Sequence, residues 1–176
     1  MDLQVAPTAE LSAAELRDIR AMVVAAFTSD FSVEDWDHTV GGIHVWLRDD
    51  RGPVSHGALV ERTLVTGAES RTVAYVEGVA TRQDQRRHGY GSRVLTRIGE
   101  LIRASYPLGA LSTKEYGFYG RLGWELWRGP TFVDAPGGRE RTSGDDGDVM
   151  ILRTPTSPAL DLDREIVCDW RSGDVW

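Results

Sequence analysis

The sequence predicts an α/β (α+β) fold: a mixed, mostly antiparallel sheet flanked by helices, with one parallel crossover. Three observations lead there. Strand-like runs at 42–48, 54–65 and 71–80 follow one another across short turns, as in an antiparallel meander. The hydrophobic period then changes to that of a helix, with Val94, Leu95, Ile98, Leu101 and Ile102 on one stripe. An apolar run, Leu108–Ser112, follows Pro107, and strand, helix, strand in that order forms a parallel crossover.

The remaining elements follow in chain order. Ser12-Ala13-Ala14-Glu15 has capping-box spacing, and Leu16, Ile19, Val23 and Phe27 continue it as an amphipathic helix. Ser29-Asp30-Phe31 breaks that helix, and a second short one starts at Ser32, with Asp35 three residues on and Trp36 as its apolar anchor. Asp49-Asp50-Arg51-Gly52-Pro53 and Thr66-Gly67 end the first two strands. Residues 115–122 read as a short helix, Gly123-Trp124 turns back into a strand, and the Gly-, Asp- and Arg-rich stretch 134–148 reads as a loop between two late strands.

Composition bounds the class. The 176 residues are 41% hydrophobic and 27% charged, enough for a sizeable core, so a single domain over residues 1–176 is expected. The net charge of −7 argues against nucleic acid or a membrane surface as partner and favours cationic ones, although a mild acidic excess is also common among soluble proteins. Cys168 is the single cysteine, which excludes an internal disulfide. The first residues carry neither a basic nor an apolar signal region, and no run of 18 apolar residues occurs, so the expected location is cytoplasmic. His38, His44, His56 and His88 have no metal-ligand spacing, so no metal is expected and each reads as an ordinary strand, helix or surface histidine.

The most informative segment is Arg86-Arg87-His88-Gly89-Tyr90-Gly91, which follows a strong strand and opens an amphipathic helix. Free backbone amides and the helix macrodipole favour an anion there, the glycines permit close approach, and the arginines add charge-assisted donors, while the segment taken alone also reads as an ordinary Gly-rich strand-to-helix turn. Residues 82–103 hold six arginines against two acids, a net of +4. Neither a Walker loop nor a dinucleotide fingerprint fits, since the G-x-x-x-x-G-K-[ST] pattern and the third glycine are absent.

Arg-x-x-Gly-x-Gly at this place resembles the pyrophosphate-binding motif of the GNAT acyltransferases, and Phe118-Tyr119-Gly120-Arg121-Leu122-Gly123-Trp124 is similar to that family's F-Y-x-x-x-G-[FW] segment. A closer resemblance, to the aminoglycoside 2'-N-acetyltransferases, is spread along the chain. It rests on Ser29-Asp30-Phe31, Asp35-Trp36, Gly41-Gly42, the string 75–80, the string 108–112 and the tail from Cys168 to Trp176, with departures around the loop and at 113–118.

The resemblance implies the GNAT fold and acetyl transfer from acetyl-CoA to the 2'-amine of an aminoglycoside antibiotic, by a homodimer. The acetyl-CoA contacts it implies are the strand backbone over 77–81, with Val79 and Thr81, and then Arg86, Arg87, His88, Gly89, Tyr90 and Gly91. For the aminoglycoside they are Asp30, Asp35, Glu77, Ser112, one or both of Asp145 and Asp146, and the carboxylate of Trp176. Sequence alone offers capping or a solvated turn as another use for Asp30 and Asp35, and a solvated loop for Asp145-Asp146.

Glu77 is different, because an acid among Val, Tyr, Gly and Ala of a strand is costly unless paired or used. It is the candidate base for the amine proton, through water, with the Trp176 carboxylate as a helper. Tyr119 is the candidate acid for the departing thiolate, with Tyr116 as rival, and the Val79 amide would bond the thioester oxygen. From Pro130 onward ten acids meet five arginines, a net of −5 suited to a cationic acceptor. Two other readings stay open: the same enzyme acting on a polyamine or a cell-wall amino sugar, and a non-catalytic module binding acyl-CoA or the antibiotic.

Overall fold

The computed structural model describes residues 1–27 and 31–176. In chain order the elements are β1 (Asp2–Pro7), α1 (Ala13–Phe27), α2 (Val33–Thr39), β2 (Ile43–Asp49), β3 (Gly52–Thr66), β4 (Glu69–Thr81), α3 (Tyr90–Ser105), β5 (Leu108–Ser112), α4 (Tyr116–Gly120), β6 (Glu125–Leu126), β7 (Thr131–Ala135), β8 (Gly138–Arg141), β9 (Val149–Arg153) and β10 (Ile166–Asp169). They fall into two compact units, Met1–Val60 with Val76–Glu100, and Glu61–Tyr75 with Leu101–Trp176.

Local chemistry accounts for both N-terminal helices. At α1 the Ser12 and Glu15 side chains exchange bonds with each other's backbone N–H, at 2.9 and 3.2 Å. Ser32 and Asp35 repeat the capping box at α2, at 2.8 and 3.0 Å. In the first unit β1 pairs antiparallel with β2 (Asp2↔Arg48 to Pro7↔Ile43), and β2 with β3 (Ile43↔Leu59 to Asp49↔Gly52). Ile19, Met22 and Val23 of α1 pack with Trp36, Trp46 and Ala80 to form its core.

The second unit follows the strand order β6-β9-β5-β4-β3-β10-β7-β8 through the remaining parts of β3 and β4. β5 runs parallel to β4, with Ala74 opposite Gly109 and Tyr75 opposite Ala110, so β4, α3 and β5 form the expected crossover. Pairing is antiparallel between β5 and β9, β9 and β6, β10 and β3, and β7 and β8, and parallel between β10 and β7. The α3 stripe is buried as its period predicts at Val94, Leu95, Ile98 and Ile102, while Leu101 is half-buried.

Two corrections follow. The stretch 134–148 is not simply a loop: β7 and β8 form a hairpin with Val133 opposite Glu140 and Asp134 opposite Arg139, followed by a 3₁₀ turn at Ser143–Asp145. Every residue of β8 is exposed, so it carries no hydrophobic alternation to reveal it. β1 had no sequence forecast either, because its short run is half-exposed and ends in proline.

Ile98 is fully buried whereas Val33 is 59% exposed. Ile98→Ala is expected to lower unfolding free energy by about 2–5 kcal/mol, and Val33→Ala to change it by less than about 0.5 kcal/mol, both read from urea midpoints.

Candidate active site

The anion-binding loop belongs to the first unit. A 3₁₀ turn at Gln83–Gln85 leads into Arg86, whose guanidinium donates to Ala26 O at 2.8 Å and to Thr81 O at 3.3 Å. That side chain therefore staples the loop to the end of α1. Arg87 follows with φ +65°, the non-glycine residue in the left-handed region among those described, and Gly89 has φ +79°. Arg87, His88 and Gly89 are exposed, and the first turn of α3 contains no acid. The amide end of α3, with no acid in its first turn, and the cation of Arg87 thus put positive charge at this loop. His88 stacks on Tyr90, ring centroids 5.8 Å apart, while Gly91 begins the helix beside it.

The preceding strand carries Glu77, Val79 and Thr81, all half-buried. Between them Gly78 has φ +55°, and a Cβ there would lie 2.7 Å from Thr39 Cγ2, so glycine is required. Its carbonyl accepts from His56 Nδ1 at 2.9 Å. His56 Nε2 in turn lies 2.9 Å from His44 Nδ1, and His44 Nε2 lies 2.9 Å from Thr8 Oγ1. Both imidazoles are fully buried, and desolvation holds His44 down at about 4 and His56, with His44 beside it, at about 3. Both are strand histidines, as the sequence reading has them, and they are paired with each other rather than single. The register of β2 on β3 brings them together, with His44 opposite Ala58 and His56 opposite Trp46.

Asp35 sits half-buried with one carboxylate oxygen committed to the α2 capping box. Asp30 lies outside the described residues. A cavity of about 690 Å³ opens between α1 and the β2–β3 turn, lined in part by Met22, Ala26, Pro53 and Arg82, and none of the expected site residues lines it.

The second unit holds Ser112, Tyr119, Asp145, Asp146 and Trp176. Ser112 ends β5, opposite Val149. Tyr119 is buried on α4, edge-on to Phe118 and Trp124, and burial together with the Glu115 carboxylate raises its phenol above the ordinary value. Tyr116 is exposed and donates to Asp148 Oδ1 at 2.7 Å.

The two aspartates separate by partner. Asp146 accepts from Arg141, from Thr131 N at 2.9 Å and from Thr131 Oγ1 at 3.0 Å, and Arg141 leads in holding it at about 2. It staples the β7–β8 hairpin. Asp145 is raised instead, by burial and by the charges of Asp174 and Asp148. It therefore stands among other acids rather than against an arginine.

The tail is clamped from below. Arg62, buried on β3, donates to Val175 O at 2.7 Å, to Asp169 Oδ1 at 3.0 Å and to Asp169 O, with its guanidinium 4.9 Å from the Tyr75 ring centre. Cys168 also donates to Val175 O, at 3.3 Å, and burial raises its thiol to about 11, which removes it as a nucleophile. The buried Trp176 indole donates to Thr142 Oγ1 at 2.9 Å. Sequence reading missed Arg62, although a cation inside the run 54–65 was a visible signal. Among the described residues no group of His, Cys, Asp and Glu is placed to hold a metal, and no helix is long and apolar enough to cross a membrane.

Comparison with known proteins adds independent findings. A family model described as an acetyltransferase (GNAT) domain matches residues 8–127. An aminoglycoside 2'-N-acetyltransferase of Mycolicibacterium fortuitum is 39% identical over 173 residues, covering 96% of this chain and 89% of that protein. Among solved structures, a GNAT family N-acetyltransferase (YhbS) of Escherichia coli in complex with CoA superposes with a TM-score of 0.65 at 13% identity, over 97% of this chain and 89% of that one. A GCN5-related N-acetyltransferase of Kribbella flavida gives a TM-score of 0.59 at 21% identity over 73% of this chain, which spans about a third (34%) of that longer protein.

The lowered histidines set a pH window. Between about 3 and 6.5 the unfolded chain binds more protons than the fold, so this pair's contribution to stability is lost as pH falls through that range. Above about 6.5 both states carry neutral imidazoles and the pair adds no slope. Replacing both by glutamine is expected to flatten the pH dependence of urea stability between 6.5 and 4.5, by at most about 1.4 kcal/mol per pH unit for each histidine. Asp49, Asp84 and Asp146, each at about 2, lose their contribution only below the ordinary 3.8.

Proposed function

Since this chain belongs to the GNAT acetyltransferase family, we propose that it moves an acetyl group from acetyl-CoA to the 2'-amine of an aminoglycoside, inactivating the antibiotic. The observation that carries the acceptor assignment is the 39% identity, over nearly the whole chain, to an enzyme of that name. Charge placement supports it: a net +4 over 82–103 suits a phosphate-rich donor, and a net −5 from Pro130 onward suits a polycation.

Arg87, the backbone of the 86–91 loop and the α3 amides would hold the pyrophosphate, with Val79 and Thr81 offering backbone groups to the pantetheine arm. Asp35, Ser112, Asp145 and the Trp176 carboxylate would receive the ammonium and hydroxyl groups of the acceptor. Asp30 stays in that set by resemblance, whereas Asp146 serves better as the hairpin staple.

Glu77 accepts the amine proton, through water, as the C–N bond forms. The Val79 N–H donates to the thioester oxygen as charge develops there. Tyr119 donates to the sulfur as the C–S bond breaks. Tyr116 suits this role less, because its hydroxyl is committed to Asp148. The same reading takes residues 1–176 as one acetyltransferase domain, cytoplasmic and homodimeric.

With acetyl-CoA and a 2'-amino aminoglycoside such as gentamicin or tobramycin, purified protein is expected to release CoA thiol. No turnover with any of them, or a polyamine that outpaces them all, overturns the acceptor. Tyr119→Phe is expected to lower kcat by about 10²–10⁴ with KM held within about twofold. Extending the chain beyond Trp176 is expected to raise the aminoglycoside KM about tenfold, as loss of a charged hydrogen bond would, leaving that of acetyl-CoA unchanged.

A further inference from the structure

The buried chain behind Gly78 has one direction. Gly78 O can only accept, so His56 Nδ1 carries the hydrogen of that 2.9 Å bond. A neutral His56 then presents Nε2 as an acceptor, and His44 Nδ1 must donate to it. His44 Nε2 is left as an acceptor, filled by the Thr8 hydroxyl at 2.9 Å. Gly42 O, 3.2 Å from the same hydroxyl, already receives the Thr8 N–H at 2.9 Å. Thr8 Oγ1 itself accepts from Gly41 N at 2.9 Å. Both imidazole donors, His44 Nδ1 and His56 Nδ1, therefore point toward Gly78, and the Thr8 hydroxyl hydrogen has His44 Nε2 as its nearer acceptor.

The end of this chain matters because Gly78 C=O and Val79 N–H are the two ends of one resonant amide. A hydrogen bond received at the oxygen draws electron density from the nitrogen and makes its N–H a stronger donor. A row of aligned bonds in a low-dielectric interior strengthens each member. Gly78 itself has a φ of +55°, and a Cβ built on it would meet Thr39 Cγ2 at 2.7 Å, so this peptide conformation is one that glycine permits.

We propose that the Thr8–His44–His56 chain, by donating to Gly78 O, aims and strengthens the Val79 N–H toward the thioester oxygen, which makes His44 and His56 positioning residues for acyl transfer. This rests on the acetyl-transfer reading and its use of Val79. Neither histidine touches substrate in this account; both act through the peptide between residues 78 and 79.

The test compares His56→Leu, which removes the donor, with His56→Asn, whose amide nitrogen takes the place of Nδ1. Acetyl-CoA labelled with ¹³C at its carbonyl is bound without acceptor, and its stretch is read by difference infrared spectroscopy. The native protein is expected to lower that stretch relative to free acetyl-CoA. In His56→Leu it should return toward the free value, and in His56→Asn stay near the native one. Outright loss of an oxyanion donor costs about 10²–10³ in rate, so weakening one is expected to lower kcat about tenfold in His56→Leu with KM for acetyl-CoA unchanged. A folded His56→Leu with native stretch and kcat overturns the proposal, as does equal loss in His56→Leu and His56→Asn.

Where His56→Leu does not fold, the native protein decides. Imidazole ¹⁵N shifts at pH 7 must place hydrogen on Nδ1 of both histidines, and hydrogen on Nε2 of His56 overturns the proposal. The infrared comparison needs acetyl-CoA alone, so it stands even where no aminoglycoside is turned over. Turnover with an unmoved stretch removes this proposal and leaves the parent reading intact.

Discussion

A polar group taken out of water must find a partner, and along β3 that requirement organises much of what surrounds it. Ser55, His56 and Arg62 are buried polar side chains of this strand, and each donates to a main-chain carbonyl of another segment. Ser55 reaches Ala80 O at 3.1 Å and His56 reaches Gly78 O, both on β4. Arg62 reaches Val175 O and Asp169 O of the tail. Backbone positions that the proposed chemistry uses are thus held by side chains that touch no substrate. Loss of the Ser55 donor strands the buried Ala80 carbonyl, which is costly.

The charged residues divide along similar lines. Arg86 and Asp146 lie in segments suited to ligand binding, yet both are committed to the protein's own backbone and side chains. Arg87 stands beside them in the left-handed region just before α3, and Asp145 is raised by burial and by the charges of Asp174 and Asp148. Adjacent residues of one type therefore differ in their surroundings. Motif matching by position does not separate them.

Legibility in the sequence followed the range of the interaction. Both capping boxes, the α3 stripe, the meander and the β4–α3–β5 crossover could be read because the signals lie within a few residues of one another. The Arg86–Gly91 loop was legible for the same reason. β8 was not, since an exposed hairpin strand has no apolar face to alternate. The acidic C-terminal portion was visible as charge, but not which of its aspartates is a staple.

By itself, then, the sequence determined the helices, the meander and the crossover, because helical period, capping and turn composition are local properties of the chain, and its motifs carried the resemblance that names the family. Tertiary structure decided the rest. His44 and His56 lie 12 residues apart, His56 and Gly78 22 apart, and Arg62 and Asp169 107 apart. Such contacts depend on strand register, where a slip of one residue turns every side chain to the opposite face. The neutral state of the histidines and the raised phenol of Tyr119 depend on burial, which arises only once distant segments have closed over them.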